Sequence, residues 1–352
     1  MRVQVDLAGE LDVGGWSARH ARGQVPDHVP YGLHKLAGHG VTPQFRDPLP
    51  PGPLLDFARR ARNRTRQMDF VTAIRRLPSR ARRTADAVLC WDERTGVPAA
   101  LLPGPPVVSG ATWLDDPTTL PSGLRPVVAR SLRRTCAVFC CCEPTRDLVE
   151  RRWDLGRGKV HRLTMGVDEN FYTPLPPPAV PGVVVSVGDD RRRDHGQLIR
   201  VMEQLGRRGV DARLELATTQ RGVQVPVHVG VLHRRRMEGS ILDLYDRGTV
   251  VAIALKPCTG VFGITVALEA MACARPVVIT ANPGLEEYID DGVTGLLVPP
   301  GDDAALEKAI VSLLQDPAGA AAMGAAARRA VEARFTTGRM TAELAALLRS
   351  VT

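Results

Sequence analysis

Short apolar runs alternate along the chain with longer stretches in which apolar residues recur at helical spacing. Strands that alternate with helices of about ten or more residues are typical of a parallel, doubly wound sheet, so the pattern predicts an α/β fold. The runs predicted as strands include Val3–Leu7, Ala87–Cys90, Pro106–Ser109, Val138–Cys142, Val183–Val187, Arg213–Ala217, Val250–Leu255, Pro276–Thr280 and Gly295–Val298.

A proline-rich segment divides this pattern in two. Thr173–Gly182 has five prolines in ten residues, and such a segment continues neither a helix nor a central strand. We therefore predict a Rossmann-like domain at 1–172, a linker at 173–182, a second such domain at 183–335, and a terminal helix at 336–352 that packs back on the first domain. Ligands of doubly wound sheets bind at the carboxyl ends of the strands, so we expect the two domains to face each other across a cleft.

The charge of the chain is concentrated in one segment. The net charge is +8, and Arg59–Arg83 has ten arginines against a single aspartate, Asp69. A solvated basic helix and a helix on an anionic membrane surface both fit this segment. It has few aromatic residues between its arginines, so a stacking platform for nucleic acid is not expected. The segment itself lacks the Trp, Phe and Leu face of a good membrane binder, which favours the solvated helix.

The cysteines and the apolar runs predict a cytoplasmic, soluble protein. The seven cysteines include three consecutive ones, Cys140 to Cys142, and no spacing matches a zinc site, so we expect reduced cysteines. Met1–Leu7 lacks the apolar core of a signal peptide. The longest apolar runs are far below the roughly 20 residues of a membrane span. Peripheral membrane contact through Arg59–Arg83 stays open, and the oligomeric state is unknown.

Val250–Thr280 has the pattern of an anion site. A strand ends at Lys256 and a helix begins near Gly263 to Thr265, where free backbone N–H groups attract an anion. Lys256 is one of only four lysines, and the other three, at positions 35, 159 and 308, fit ordinary surface positions. Glu269 lies on the face of Thr265, one turn deeper in an apolar helix. Such a carboxylate needs a hydrogen-bond partner, for which ribose hydroxyls are suitable, although a glutamate favoured by the helix dipole is the alternative.

A second candidate anion site follows the strand Val183–Val187. The strand ends at Gly188, and a helix begins near Asp194 or His195. Three arginines, at positions 191, 192 and 193, lie beside this helix N-terminus, where cations cost about 0.3–1 kcal/mol each unless an anion binds. Exposed arginines paired with nearby aspartates are the alternative. In the first domain, Gly14 and Gly15 are predicted to lie in a loop before a helix that begins near Pro30.

Three segments give the chain a family resemblance. From Cys142 to about Pro317 it resembles the retaining nucleotide-sugar glycosyltransferases of the family-4 type, which have the two-domain GT-B fold. The resemblance rests on the segment around Gly166-Val167-Asp168, on GITVALEAMACARPVVIT, and on EEYIDDGVTGLLVPPGD at Glu286–Asp302.

This resemblance implies a donor site in the second domain and an acceptor side in the first. It implies that Glu269 binds the donor ribose and that the backbone at Gly263, Ile264 and Thr265, beside Phe262, contacts the sugar and the distal phosphate. Gly188 and His195 belong to the same donor site. A subgroup of the family has an R-D pair and a lysine before the turn, which Arg193-Asp194 and Lys256 match. These two cations are therefore expected to hold the diphosphate.

The sequence departs from the family pattern in three features. The first of the two family glutamates falls on Val261, and the usual Arg and Lys of the diphosphate clamp fall on Asp189 and His195. Some relatives carry a histidine after the third or fourth strand of the first domain, and here Thr112 or Trp113 stands in that neighbourhood instead. In the family's retaining mechanism the departing diphosphate oxygen is thought to take the acceptor proton, so the missing base is tolerated.

The resulting expectation is a retaining, metal-independent glycosyltransferase. It would move a sugar from a nucleotide-diphosphate sugar to a small-molecule acceptor, a natural product or a sugar, with no further cofactor. There is no DxD motif, so no metal site is expected. The Gly14–Gly15 loop would close over the cleft. A membrane lipid acceptor, a degenerate sugar-nucleotide-binding protein of the same fold and a nucleic-acid-binding protein are the alternatives, of which the last is disfavoured.

Overall fold

The computed structural model describes residues 1–9, 11–46, 49–50, 52–77, 80–235 and 237–351. It divides into two compact units: unit 1 is Met1–Arg22, Asp27–Thr164 and Gly338–Thr352, and unit 2 is Gly23–Pro26 and Met165–Thr337. Each unit contains a six-stranded sheet in which every strand pair is parallel. The α/β class predicted from the alternation of strands and helices is confirmed.

Unit 1 has the strand order β2-β1-β3-β4-β5-β6. Its strands are β1 (Arg2–Asp6), β2 (Thr42–Gln44), β3 (Ala87–Cys90), β4 (Val107–Gly110), β5 (Ala137–Cys140) and β6 (Val160–Arg162). Its helices up to the end of the sheet are α1 (Val13–His20), α2 (Pro53–Arg64), α3 (Phe70–Arg76), α4 (Arg80–Thr84), α5 (Glu93–Leu101), α6 (Arg125–Arg134) and α7 (Glu143–Trp153), with 3₁₀ segments at Pro30–His39 and Pro117–Thr119.

Unit 2 has the strand order β12-β11-β10-β7-β8-β9, which is the order of a Rossmann fold read from its far edge. Its strands are β7 (Val183–Val187), β8 (Arg213–Ala217), β9 (Gly230–His233), β10 (Val250–Ile253), β11 (Val277–Thr280) and β12 (Leu296–Val298). Its helices are α8 (His195–Arg207), α9 (Ile241–Arg247), α10 (Ile264–Ala272), α11 (Asp303–Gln315) and α12 (Pro317–Arg334), with 3₁₀ turns at Glu238–Ser240 and Leu285–Glu287.

The central strands of unit 2 explain why its sheet forms as it does. β7, β10 and β11 are rich in valine and isoleucine, and β10 and β11 are fully buried. Strands of a parallel sheet are covered by helices on both faces, so they are continuous apolar runs instead of alternating ones. β7 and β10 are neighbours that pair Val184 with Val250, and the strand order reverses between them. This reversal leaves an opening at their carboxyl ends.

The last helix, α13 (Thr337–Ser350), belongs to unit 1 from Gly338 onward. Within unit 1, Glu343 Oε2 accepts a hydrogen bond from the backbone N–H of Thr164 at 2.9 Å. Arg349 Nη1 donates to the carbonyl of His39 at 2.7 Å. Both contacts fasten the end of the chain to residues far from it in sequence.

The boundary between the units lies earlier than the sequence predicts. Unit 1 ends at Thr164, whereas the prediction placed the end at residue 172. The intervening segment is held by unit 2, because the N–H of Met165 donates to Tyr288 Oη at 2.9 Å and the carbonyl of Tyr172 accepts from Arg328 Nη1 at 2.6 Å. Residues 173–182 contain no helix or strand, and Arg275 Nη2 binds the carbonyl of Pro176 at 2.6 Å.

The prediction of one basic helix at Arg59–Arg83 is wrong. Three helices cover the segment, because the backbone turns through positive φ at Arg66 and Gln67 and then restarts at Asp69. Asp69 Oδ1 caps α3 by accepting from the N–H of Thr72 at 3.1 Å. Residues 78 and 79, and the side chains of Arg76, Arg80 and Ala81, lie outside the described residues.

Three strands, β2, β6 and β9, were not predicted. All three lie at an edge of their sheets and have three or four residues. An edge strand has only one neighbour, so it needs no long apolar run. Among the helices of the described residues, none is both long enough and apolar enough to cross a membrane.

We predict that Gly166→Ala lowers the free energy of unfolding of unit 2 by about 2 kcal/mol or more, in the range of overpacked buried sites. A Cβ at Gly166 would lie 2.4 Å from the carbonyl oxygen of Thr336, in the backbone pair that Val167 makes with residues 335–337. Gly206→Ala in α8 is the control, because a Cβ there meets no atom within 4 Å. Urea unfolding of both variants is the measurement, and equal stability of the two would contradict the prediction.

Candidate functional site

The carboxyl ends of β7 and β10 are joined by backbone hydrogen bonds. The N–H of Asp194 donates to the carbonyl of Ala254 at 2.9 Å, and the N–H of Lys256 donates to the carbonyl of Arg192 at 2.8 Å. Between them, Arg193 and Leu255 form an isolated antiparallel bridge. The two segments that sequence reasoning singled out separately are therefore one structure at the point where strand order reverses.

Two glycines make room for the side chain of Arg193. A Cβ at Gly188 would lie 2.3 Å from Arg193 Nε, and a Cβ at Gly263 would lie 3.1 Å from Arg193 Nη1. Both glycines have positive φ, +151° and +80° respectively, which side chains rarely adopt. The guanidinium of Arg193 thus lies between the end of β7 and the start of α10.

This guanidinium is buried without a full set of partners. Arg193 is 4% exposed, and its Nε and Nη1 have no hydrogen-bond partner among the described residues. Burial lowers the pKa of the Arg193 side chain, although nearby Asp190 opposes this. A buried cation with free donors is costly, so an anion is the partner that would stabilise it.

The nearby aspartates are bound to backbone groups. Asp190 Oδ1 accepts from the N–H of Arg192, and Asp189 Oδ1 accepts from the N–H of Thr219 at 2.5 Å. Asp194 Oδ1 caps α8 by accepting from the N–H of Gln197 at 2.9 Å. The alternative in which exposed arginines are paired with these aspartates therefore does not hold for Arg193.

The N-terminus of α10 faces the same guanidinium. Gly263 is its N-cap, no side chain caps the helix, and its first turn contains no acidic residue. Ile264 is buried and Thr265 is exposed at this end. The partial positive charge of the helix end adds to that of Arg193, so both favour an anion at one place.

Three further predicted residues lie in these segments. Lys256 is exposed directly after the bridge, and its ammonium makes no ion pair among the described residues. His195 is buried, its Nε2 is 3.0 Å from the carbonyl oxygen of Gly188, and burial lowers its pKa. Phe262 is buried under the guanidinium of Arg192, 5.5 Å from the ring centroid.

Glu269 has protein partners that the sequence did not reveal. Tyr245 Oη donates to Glu269 Oε2 at 2.8 Å, and the hydroxyl of Tyr172 also bonds this carboxylate. Burial raises the pKa of Glu269 to about 7, and the two tyrosines and Arg193 act in the opposite direction. The carboxylate is therefore satisfied in part without any ribose.

The prediction of a loop at Gly14 and Gly15 is wrong. Both residues lie in the first turn of α1, where the N–H of Trp16 donates to the carbonyl of Asp12 at 2.8 Å. A Cβ at Gly15 would lie 2.5 Å from Asp12 Oδ2, so glycine leaves room for the Asp12 carboxylate.

Thr112 and Trp113 follow β4 in unit 1 and are fixed by a residue that sequence reasoning missed. Glu93 accepts from the N–H of Thr112 at 2.8 Å through Oε2 and from the N–H of Trp113 at 3.0 Å through Oε1. Glu93 is buried, and burial raises its pKa to about 7. The sequence feature that could have indicated Glu93 is its position directly after β3, where Asp92 caps α5 and Glu93 is the first residue of that helix.

Within the described ranges, no group of three or more His, Cys, Asp or Glu side chains has an arrangement that could hold a metal ion. The positive charges at the carboxyl ends of β7 and β10 are those of Arg193, Lys256 and the helix end, and the carboxylates of Asp189, Asp190 and Asp194 accept from backbone N–H groups. This arrangement offers nitrogen donors that could bind an anion.

Comparison with known proteins gives matches along the whole chain. Residues 181–316 match the family model described as glycosyl transferases group 1. The chain is 27% identical over 248 residues to the alpha-maltose-1-phosphate synthase of Mycobacterium tuberculosis, which covers 62% of this chain and 61% of that protein. The match thus spans less than two thirds of that relative.

Solved structures show the fold. Sucrose-phosphate synthase from Thermosynechococcus elongatus matches with a TM-score of 0.71 and 18% identity, over 99% of this chain and 98% of the other. Anabaena Alr3699/HepE in complex with UDP-glucose matches with a TM-score of 0.70 and 17% identity, over 99% of each chain. The two parallel sheets therefore have the GT-B architecture.

We predict that Arg193→Met raises the free energy of unfolding of the ligand-free protein by about 1–3 kcal/mol. A buried cation with free donors is replaced by an apolar side chain of similar length. Thermal and urea unfolding without nucleotide measure the effect. A loss of stability would show that the guanidinium is satisfied by the protein itself.

We also predict a pH-dependent effect of Glu269→Gln. The folded pKa of about 7 lies above the ordinary 4.5, so the folded protein keeps a proton that the unfolded chain loses between these pH values. The wild type therefore loses stability as pH rises from 5 to 8, by about 3 kcal/mol at most, and the glutamine variant does not. Tm values of both proteins across this pH window test it, and a constant difference would contradict it.

Proposed function

We propose that the protein is a retaining, metal-independent glycosyltransferase, because residues 181–316 match the family model described as glycosyl transferases group 1 and the chain has the GT-B fold. Unit 2 binds a nucleotide-diphosphate sugar. The sugar is transferred to a small-molecule acceptor, a sugar or a natural product. The protein works in the cytoplasm.

The buried guanidinium of Arg193 is the observation that carries this proposal. Its Nε and Nη1 are free, and it lies between Gly188 and the N-cap Gly263 of α10. The diphosphate of the donor supplies oxygens for these donors and for the first-turn N–H groups of α10. Glycine at positions 188 and 263 then serves a second purpose, since it lets phosphate approach the backbone.

The same groups account for catalysis. Cleavage of the bond between the sugar and the diphosphate leaves negative charge on the departing oxygen. Cations and N–H groups that are already in position stabilise that charge, and the loss of one such donor costs about 3–4 kcal/mol of transition-state stabilisation. Arg193 binds the diphosphate from the buried side, and the exposed Lys256 adds its charge from solvent.

Glu269 is proposed to bind the donor ribose. Its Oε2 is bound by Tyr245, and the carboxylate retains acceptor capacity because each oxygen has two lone pairs. The tyrosine bonds hold the side chain in one orientation. Ribose hydroxyls then meet an acceptor that needs little reorganisation.

The names of the relatives support a sugar donor and a small acceptor. Alr3699/HepE was solved with UDP-glucose, and the two synthases are named for alpha-maltose-1-phosphate and sucrose-phosphate. These names give the products of the synthases, which are compact and polar, and an acceptor that yields such a product is smaller still and needs a pocket only. Thr112 and Trp113, fixed by Glu93 at the carboxyl end of β4, are our candidates for acceptor contacts.

A second candidate function is nucleotide-sugar binding without transfer. Val261 occupies the position of the first family glutamate, and no acidic residue lies between Arg247 and Leu268. A carboxylate that contacts the transferred sugar is therefore absent from this stretch. Binding of the diphosphate does not depend on it.

The test combines a thermal-shift screen with an assay of nucleoside diphosphate release. UDP, GDP and ADP and their glucose or mannose conjugates are added to the full chain. The matching nucleotide at about 100 times its dissociation constant stabilises the fold by about 2.7 kcal/mol. We expect Lys256→Ala to reduce turnover at least 100-fold with almost unchanged Tm, because this side chain is exposed.

Arg193→Ala should lose the nucleotide-induced shift, and Arg191→Ala, which removes an exposed arginine two residues away, should keep it. Full turnover in the Lys256 variant would overturn its role at the diphosphate. A nucleotide-induced shift with no release from any donor would favour the binding protein. No shift with any nucleotide would overturn the donor site.

A further inference from the structure

The outer face of α2 combines an aromatic residue with arginines. One face of the helix is formed by residues spaced four, three and four positions apart, namely Pro53, Phe57, Arg60 and Arg64. The opposite face is turned to the protein, since Ala58 is buried and Arg62 Nη1 pairs with Asp69 Oδ2 at 2.9 Å.

Phe57 is exposed to an unusual degree for a phenylalanine. It is 55% exposed, and Leu54, one turn before it, is 43% exposed. A single exposed apolar side chain has little effect on stability. Apolar side chains grouped with cations on one face of a helix are typical of a helix that lies in a membrane interface. Both side chains precede Arg59–Arg83, so the composition of that segment alone does not reveal them.

The arginines of this face are free to meet a partner. Arg60 and Arg64 form no ion pair or hydrogen bond with any described residue, whereas Arg59, on the flank, pairs with Asp56 at 3.6 Å. α3 contacts α2 and adds exposed Ile74 and Arg75 to unit 1. The surface therefore has positive charge that the protein itself does not neutralise.

We propose that this face of α2, formed by Phe57, Arg60 and Arg64 with Leu54 at its edge, docks unit 1 on an anionic lipid bilayer. Phe57 and Leu54 enter the boundary between head groups and acyl chains, and the two arginines bind lipid phosphates. The apolar pair distinguishes a bilayer from a purely electrostatic partner, because only a bilayer offers an apolar layer beneath its phosphates.

The proposal concerns attachment and is independent of the donor site in unit 2. It holds whether the acceptor is a lipid or a soluble sugar. A chain with this face would act at the membrane while its nucleotide is taken from water.

Sedimentation with vesicles tests the proposal on the full chain. We expect binding to phosphatidylcholine vesicles with about 30% phosphatidylglycerol and little binding to phosphatidylcholine alone. Phe57→Ser should weaken the partition to anionic vesicles about tenfold, by loss of apolar burial. The double variant Arg60→Gln, Arg64→Gln should weaken it by more than about tenfold.

Matched controls come from unit 2. Val227→Ser removes a side chain that is 90% exposed, and Arg207→Gln with Arg213→Gln removes two exposed arginines. These variants should bind vesicles as the wild type does. All substitutions are on the surface, so unchanged Tm values should accompany them.

Three results would overturn the proposal. The wild type could fail to bind anionic vesicles, or the unit 2 controls could lose as much binding as the α2 variants. Alternatively, the arginine variant could lose vesicle and duplex DNA binding alike while Phe57→Ser keeps both. That last outcome would show a nonspecific polyanion surface without insertion.

Discussion

The arrangement of unit 2 depends on one buried charge. The guanidinium of Arg193 is buried beside the ends of β7 and β10 and the N-terminus of α10, and that helix end carries partial charge of the same sign. In the absence of a ligand this is an unfavourable arrangement, since desolvation and like charges act together. An anion bound there would offset this cost. The two glycines beside the guanidinium and the uncapped helix N-terminus are consistent with that one constraint.

The sequence predicted the fold, and it singled out the two segments that meet at the carboxyl ends of β7 and β10, because those features are local. Valine-rich runs identify buried parallel strands, and a strand end followed by glycine and an apolar helix identifies an anion site. Lys256 could be singled out because the sequence contains only four lysines. The choice of Arg193 among three consecutive arginines came from the family resemblance, and burial separates it from its exposed neighbour Arg191.

What the sequence did not predict depends on contacts between distant residues. Tyr172 and Tyr245 reach Glu269 from positions 97 and 24 residues away, so no motif at Glu269 contains them. Glu93, which follows β3, binds the N–H groups of Thr112 and Trp113, which follow the neighbouring strand β4. The turn at Arg66 and Gln67, which splits the basic segment, uses φ values that those residue types seldom adopt, and composition does not reveal it.

The antiparallel bridge between Arg193 and Leu255 has a consequence for affinity. Loops that bind a ligand usually lose conformational entropy when they become ordered, and this loss reduces the observed affinity. Here the two loops are already tied to each other by main-chain hydrogen bonds at residues 192 to 194 and 254 to 256. A ligand at these strand ends would therefore meet a preorganised surface. Sequence changes that loosen this bridge would weaken binding even if every side chain that contacts the ligand were kept.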